Sequence, residues 1–241
     1  ALGIVLLLLL LYPQGGAFSQ GSAPKESCDL CHYTRGLTFS LPSGEILNLY
    51  VDAGALASSI HGGKLTCSDC HFNYVSYPHP TRKVQNRREY SIAQYEVCKR
   101  CHFSEYTKTL DSEHFQALAR GNPQAPVCTD CHGFHEIGHP REPKPKISQT
   151  CSSCHSSIYQ EYVNSVHGKA LVKEGNGDTP VCTDCHGIHN IHDPRTASYR
   201  QQTPALCARC HTDKNLMDKY GISTNVVGTY LQDFHGVSVA L

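Results

Sequence analysis

The sequence predicts a mainly α-helical chain with extensive coil and little or no β-structure, built from repeated modules. The chain of 241 residues has 14 Cys and 16 His, but only 7 Phe, 1 Met and no Trp. Large apolar side chains are therefore too few for an ordinary core. A unit of about 55 residues recurs along the chain, and loops rich in Gly and Pro separate its segments. We therefore expect short helices arranged around the Cys and His side chains.

The N-terminal residues 1–11 form an unbroken apolar run that ends at Tyr12-Pro13. A helix rising about 1.5 Å per residue would cover about 17 Å of a hydrocarbon layer about 30 Å thick, which is too short to span it alone. The run starts without Met or a positive segment, so we expect more chain upstream. A cleaved signal peptide is one interpretation. We favour a retained membrane anchor and linker over residues 1–24.

Every cysteine of the chain falls into a Cys-x-x-Cys-His unit. The cysteine pairs are Cys28 and Cys31, Cys67 and Cys70, Cys98 and Cys101, Cys128 and Cys131, Cys151 and Cys154, Cys182 and Cys185, and Cys207 and Cys210. The motif histidines are His32, His71, His102, His132, His155, His186 and His211. On a helical turn, positions i, i+3 and i+4 share one face, so both thiols can bond to one porphyrin edge while the imidazole reaches the iron. This attachment signature of c-type haem predicts seven covalently bound haem c groups.

Other uses of paired cysteines fit the sequence less well. A single Cys-x-x-Cys pair is more often a zinc half-site or a redox dithiol. Seven pairs cannot all combine into Cys₄ zinc sites, and neither zinc nor a disulfide framework explains a His after every pair. Lys+Arg and Asp+Glu number 21 each, so the polypeptide lacks the basic surface expected of a nucleic-acid-binding protein.

Through these seven motifs, residues 28 to 211 resemble the multihaem c-type cytochromes. The resemblance implies covalent haem c, low reduction potentials, electron transfer and maturation outside the cytoplasm. It also implies that a distal ligand often comes from a segment attached to a neighbouring haem. Such a ligand ties adjacent porphyrins together.

Each iron takes one His from its own motif, so full six-coordination needs seven further ligands. Met217 is the only methionine, so Met/His ligation can apply to at most one haem. Bis-histidine ligation is therefore expected throughout. The remaining histidines are His61, His79, His114, His135, His139, His167, His189, His192 and His235.

Internal repeats divide the chain into modules. Residues 101–118 align without a gap with 154–171, and each stretch leads to Pro-Val-Cys-Thr-Asp-Cys-His-Gly-x-His. We predict three two-haem modules and a one-haem half module, over residues 25–97, 98–150, 151–206 and 207–241. The half module contains one motif only, so we expect more chain to follow.

The repeats also select the distal ligands. Each copy has one His on a predicted helix before its second motif: His61, His114, His167 and His235. Each complete copy has another after that motif: His79 in the first, His135 or His139 in the second, and His189 or His192 in the third. Counting from the motif His favours His139 and His192, because position 74 of the first copy, which aligns with His135 and His189, is Tyr. The tight His-Gly-x-His spacing, which recurs in the resembling family, favours His135 and His189, and we predict these. Spacing alone leaves open which haem each distal His serves.

We predict that helices carry or follow the motifs and that the haems replace a side-chain core. Helices are predicted over 90–102, 104–119, 157–172 and 203–211, and loops over 121–126, 140–147 and 175–180. One motif per about 34 residues makes porphyrin the main buried material. We therefore expect the chain to fold only with haem.

The expected function is electron transfer between redox partners, and the chain is expected to be an electron-transfer subunit more than a catalyst in its own right. Bis-His haems have no open site, so one-electron exchange is the chemistry available to them. We expect electrons to pass from a membrane redox complex or quinol-oxidising subunit, through other cytochromes, to an acceptor outside the cytoplasm. The protein would be extracytoplasmic and held at the membrane by residues 1–24.

Two alternatives remain at this point. A multihaem reductase would keep one iron five-coordinate, but the ample supply of His and the lack of a Cys-x-x-Cys-Lys unit disfavour it. A subunit of an extracellular cytochrome filament could join its neighbours through a His that crosses the interface. The expected anchor argues against a filament.

Overall fold

The computed structural model describes residues 27–74, 76–81, 83–233 and 236–238. The expected anchor at 1–24 and the candidate ligand His235 lie outside these residues. The structure is about 53% helical and 3% strand, which confirms the predicted mainly α class with extensive coil. Within the described ranges, no helix has the length and apolar character needed to cross a membrane.

The first copy of the repeat contains a small antiparallel sheet as well as short helices. Strands β1 (Thr38–Ser40) and β2 (Ile46–Asn48) pair with Phe39 opposite Leu47. The helices of this copy are α1 (Asp29–His32), α2 (Ala53–Ser58) and α3 (Cys67–Cys70), and a 3₁₀ turn follows at Phe72–Tyr74.

The later copies are built from short helices joined by turns. The second copy contains α4 (Arg87–Tyr95), a 3₁₀ segment (Glu96–Arg100), α5 (Phe103–Thr109), α6 (Glu113–Ala119) and α7 (Cys128–His132). The third contains α8 (Lys144–Ser152), α9 (Ser156–Asn164), α10 (Val166–Val172) and α11 (Cys182–His186). The last part of the chain contains α12 (Ala197–His211), α13 (Lys214–Asp218) and α14 (Val226–Gln232).

Two helices predicted as continuous, 104–119 and 157–172, are each two helices in the structure, so these predictions were wrong. The break has the same cause in both. Ser112 and Ser165 have extended backbones, and their hydroxyls accept hydrogen bonds from the amides of His114 and Gly168. Serine at such a position starts a helix more readily than it continues one. Each break therefore places a histidine in the first turn of a newly oriented helix.

Few apolar side chains are buried in the polypeptide itself. The buried ones among the described residues are Leu41, Ala125, Val127, Leu171, Val181 and Met217. Phe103 and Phe134, in contrast, are 63% and 70% exposed. A globular domain of this length normally buries many more large side chains. The protein therefore has too small a side-chain core to account for its fold.

Successive copies of the repeat are joined by shared elements. The predicted module boundaries 97/98, 150/151 and 206/207 fall inside the 3₁₀ segment, α8 and α12. Backbone hydrogen bonds also cross between copies, from the amide of Ile60 to the carbonyl of Ile137 and from that of Glu113 to that of Ile191, each 2.9 Å long. The copies therefore interlock along the chain.

Candidate haem-binding sites

The second, fourth and sixth motifs each begin a short helix, and an aspartate fixes that beginning. In each motif the carboxylate before the second Cys accepts a hydrogen bond from the amide before the first Cys. These bonds join Asp69 to Thr66 (2.7 Å), Asp130 to Val127 (2.6 Å) and Asp184 to Val181 (2.7 Å). The carboxylate satisfies an amide that has no partner within the helix. The Asp of Cys-x-Asp-Cys-His thus stabilises the turn that places both thiols and the imidazole on one face.

The third, fifth and seventh motifs instead lie at the ends of elements that begin before the first Cys, namely the 3₁₀ segment, α8 and α12. In two of them an arginine ties the motif to the preceding one. Arg100 donates to the carbonyl of Asp69 (3.2 Å), and Arg209 donates to that of Asp184. The fifth motif has Ser153 at the corresponding position.

Six motif histidines lie opposite histidines predicted as distal ligands. The distances between ring centres are 6.2 Å for His32 and His79, 6.0 Å for His102 and His61, 6.1 Å for His71 and His135, 6.1 Å for His155 and His114, 6.2 Å for His132 and His189, and 6.1 Å for His211 and His167. Two imidazole nitrogens each bonded at about 2 Å to one metal ion hold their ring centres about 6 Å apart. The paired residues therefore fit the two axial positions of a haem iron.

The first pair also has the hydrogen bonds that orient metal-binding imidazoles. Nδ1 of His32 lies 2.8 Å from the carbonyl oxygen of Leu49, and Nδ1 of His79 lies 2.7 Å from that of Ser76. A ring nitrogen next to a carbonyl must carry the proton, which leaves the lone pair of Nε2 for a metal. Backbone carbonyls thus set the tautomer of both rings.

Burial favours the neutral form of several of these histidines. It is the largest cause of a lowered pKa at His114, His132, His135, His167, His186 and His189. For His114, His132 and His167, the charge of the facing His lowers the pKa further. The neutral imidazole is the form that binds a metal ion.

The pairs follow a regular order from copy to copy, which we call the rule of succession. Spacing alone could not show this order. His61, His114 and His167 each face the first motif His of the next copy. His135 and His189 each face the second motif His of the preceding copy. His79 differs, because it faces the first motif His of its own copy. Most of the facing rings thus come from adjacent copies.

The spare candidates His139 and His192 lie away from the six ring pairs. Within the described residues, neither ring contacts a motif His at the distance of the pairs. His192 lines a cavity of about 180 Å³ beside His186 and Tyr199. Of the two predicted alternatives at each position, the structure brings His135 and His189 to a motif His.

His186 has a different neighbour from the other six motif histidines. The ring of Tyr199 stacks on it, with 5.4 Å between centres and 8° between planes. The Tyr199 hydroxyl donates to the carbonyl of Cys185 (3.3 Å). Among the described residues, no histidine ring faces His186 at the distance of the six pairs. The remaining predicted ligand, His235, lies outside those residues.

Interactions between thiols indicate that the two motifs of the second copy are neighbours, and likewise the two motifs of the third. Interaction with the Cys128 thiol raises the pKa of Cys98, and the same interaction lowers the pKa of Cys128. Cys151 and Cys182 interact in the same way, and this contact lowers the pKa of Cys182 to about 6. In the second and third copies, the first cysteines of the two motifs are therefore neighbours.

Between consecutive motifs that follow the second, fourth and sixth, the neighbouring thiol is the second cysteine of the earlier motif. Burial raises the pKa of Cys70, Cys131 and Cys185, and nearby thiols raise it further: Cys98 for Cys70, Cys154 for Cys131 and Cys207 for Cys185. Together with the contacts inside each copy, these place the second to seventh motifs next to one another in sequence order.

Comparison with known proteins agrees with the assignment of these sites to haem c. A family model described as a doubled CXXCH motif matches residues 119–159 and 170–216. The two matches include the fourth to seventh motifs. No solved structure matches the chain. The CXXCH motifs of the matched regions imply covalently bound haem c, and the doubled motif suggests a role in electron transfer.

Proposed function

We propose that this chain is a heptahaem electron relay whose haems are held by His pairs and arranged in the order of their motifs. The observation that carries the proposal is the set of six histidine pairs, whose ring centres lie between 6.0 and 6.2 Å apart. Hydrogen bonds tie the third motif to the second and the seventh to the sixth, and neighbouring thiols link the motifs between them, which supports a row of haems close enough together to exchange electrons. The haem of the first motif would extend this row at the His32 end.

The facing histidines set the chemistry of the relay. Each of the six facing pairs would hold a haem iron from both sides, and an iron held in this way would offer no open position to a small substrate. Haem c held in this way supplies one-electron exchange at a lower potential than haem with Met/His ligation. The spacing of the six pairs supports this closed arrangement.

Ligation across copies also supports a relay. The ring of His114 belongs to the second copy but faces His155 of the third, and His189 of the third copy faces His132 of the second. The junction between the second and third copies is therefore crossed in both directions, and so is the junction between the first and second copies. Such reciprocal ties hold neighbouring groups at fixed separations while electrons pass between them.

The relay would work outside the cytoplasm, between a quinol-linked membrane complex and an external acceptor. Two features support this location: the maturation implied by the resemblance to multihaem c-type cytochromes, and the apolar run at residues 1–11. Other cytochromes are the expected partners at either end of the row.

Interruption of the row tests the proposal. In the full-length holoprotein, C151A/C154A would remove the haem of the fifth motif, and C207A/C210A would remove that of the seventh. Stopped-flow reduction by a one-electron donor should give one concerted phase for the wild type and for the end variant. The interior variant should give two separate phases, because its two groups of haems no longer exchange electrons rapidly. A single phase for the interior variant would contradict a linear relay.

A further inference from the structure

We propose that the haem of the first motif is harder to reduce than the haem of the seventh, so that electrons enter the row at the His32 end and move toward His211. This inference rests on the proposed function and adds a direction to it. For each electron, an iron at the His32 end is oxidised from ferrous to ferric, and an iron at the His211 end is reduced from ferric to ferrous. A one-electron donor supplies the electron at the first end, a one-electron acceptor removes it beyond the seventh motif, and no proton has to move.

Both histidines of the first pair have their outer ring nitrogens bonded to backbone carbonyls. Nδ1 of His32 lies 2.8 Å from the Leu49 oxygen, and Nδ1 of His79 lies 2.7 Å from the Ser76 oxygen. An N–H that donates such a bond makes the imidazole a stronger electron donor through its other nitrogen. A stronger donor stabilises ferric iron more than ferrous iron, and it therefore lowers the reduction potential of the haem.

The small sheet of the first copy positions one of these carbonyls. Leu49 directly follows strand β2, and its amide donates to the carbonyl of Leu37 (2.9 Å). Two residues later, the Val51 amide donates to the carbonyl of His32 (2.7 Å). The backbone is therefore held on both sides of the Leu49 carbonyl that accepts from the His32 ring. The later copies have no corresponding sheet among their described residues.

The His211 ring of the seventh motif lacks such a bond. Its Nδ1 is buried and has no hydrogen-bond partner among the described residues. Because protein atoms already enclose this nitrogen, neither a water molecule nor a haem carboxylate has access to it as an acceptor. The same ring faces His167 at 6.1 Å, so the nitrogen belongs to an imidazole in the position of a ligand. An imidazole without the bond is a weaker electron donor, which favours ferrous iron and a higher reduction potential.

The charges inside the two motifs act in the same direction as the hydrogen bonds. The first motif contains Asp29 between its cysteines, and the seventh contains Arg209. The negative charge of Asp29 stabilises ferric iron in the first haem, whereas the positive charge of Arg209 destabilises it in the seventh. Arg209 donates to the backbone carbonyl of Asp184, which is a neutral acceptor that does not cancel the charge of the guanidinium. Two independent features thus make the first haem the harder one to reduce.

Potentiometric titration of the full-length holoprotein, followed at the haem absorption band, measures the order of the two ends. C28A/C31A cannot attach the haem of the first motif, and C207A/C210A cannot attach that of the seventh. Subtraction of the titration curve of each variant from that of the wild type gives the midpoint potential of the missing haem. We expect the haem lost in C28A/C31A to have the lower midpoint potential. Equal midpoints, or the reverse order, would overturn the inference.

Charge variants separate the role of the motif side chains from a general effect of mutation. R209Q should make the seventh haem harder to reduce, by about tenfold in its reduction equilibrium constant, and D29N should make the first easier to reduce by a similar factor. R200Q is the matched control, because Arg200 lies earlier on the same helix α12, about 13 Å from Arg209 along the helix axis. It should leave the midpoint potential of the seventh haem unchanged. Equal shifts in R209Q and R200Q, or no shift in R209Q and D29N, would show that the motif charges do not set the order.

Nuclear magnetic resonance of the reduced, diamagnetic holoprotein tests the hydrogen bonds directly. The Nδ1 protons of His32 and His79 should resonate further downfield than that of His211, because a hydrogen bond to a carbonyl deshields the proton. Loss of its signal in C207A/C210A identifies the His211 proton. A His211 proton as far downfield as the other two would show that its Nδ1 is bonded and would overturn the inference. Failure of the relay itself has a different signature, which is reduction of C151A/C154A in a single phase, whatever the order of the potentials at the two ends.

Discussion

The motif segments 126–137 and 180–191 have nearly the same sequence and the same local structure, yet different surroundings. Each has a buried valine just before a five-residue helix that is capped by an Asp, and each helix is followed by a glycine with positive φ. His132 of the first segment faces His189, whereas His186 of the second is stacked by Tyr199. Local sequence therefore determines how a haem would be attached, and the next copy of the repeat determines what lies on its other side.

The largest effect should come from making the first segment resemble the second. H189A removes the ring facing His132, so the haem of the fourth motif should become high-spin and the holoprotein should lose about 4 kcal/mol of unfolding free energy, as expected for a lost metal ligand. Electron paramagnetic resonance of the ferric holoprotein measures the spin state, and thermal unfolding measures the loss of stability.

H192A is the matched control, since His192 lies outside the ring pairs and close to His189 in sequence. It should keep the haem of the fourth motif low-spin. If H192A changed the spin state and H189A did not, the rule of succession would be wrong.

A smaller difference should appear between the two capping aspartates. Asp130 accepts the cap hydrogen bond and also forms a 2.8 Å ion pair with Arg88, which in addition donates to backbone carbonyls of the same loop. Asp184 accepts the cap hydrogen bond without such an ion pair among the described contacts. We expect D184N to cost about 1 kcal/mol, and D130N to cost about 1 kcal/mol more.

Thermal unfolding of the two holoproteins, followed at the haem absorption band, measures this difference. D69N is a third reference, because the Asp69 carboxylate accepts hydrogen bonds from both the amide and the hydroxyl of Thr66. Equal midpoints for D130N and D184N would show that the Arg88 ion pair adds nothing to stability.

The smallest effect concerns Tyr199. Y199L removes the ring stacked on His186 and the hydrogen bond to Cys185, and it should cost about 1 kcal/mol of stability. It should also change the electron paramagnetic resonance signal of one haem only, since no other motif His stacks on this ring. Y230L, a partly exposed tyrosine on α14, is the control. A change spread over several haem signals would contradict a local role for Tyr199.

The sequence predicted the attachment sites and the fold class, because both depend on local features. The Cys-x-x-Cys-His spacing lies within one helical turn, and the shortage of large apolar residues is a matter of composition. The breaks at Ser112 and Ser165 were missed, although serine before a histidine in both copies was an available signal. The partners of the distal histidines could not be predicted, because His189 lies 57 positions after His132 and only the packing of successive copies brings them together.

The most direct test is a crystal structure of the holoprotein with iron located by anomalous scattering. Our account predicts irons in motif order from the second to the seventh, with those of the fourth and fifth motifs lying between His132 and His189 and between His155 and His114. An iron bound by two histidines of the same copy in the fourth or fifth motif, or a row that departs from motif order, would contradict it.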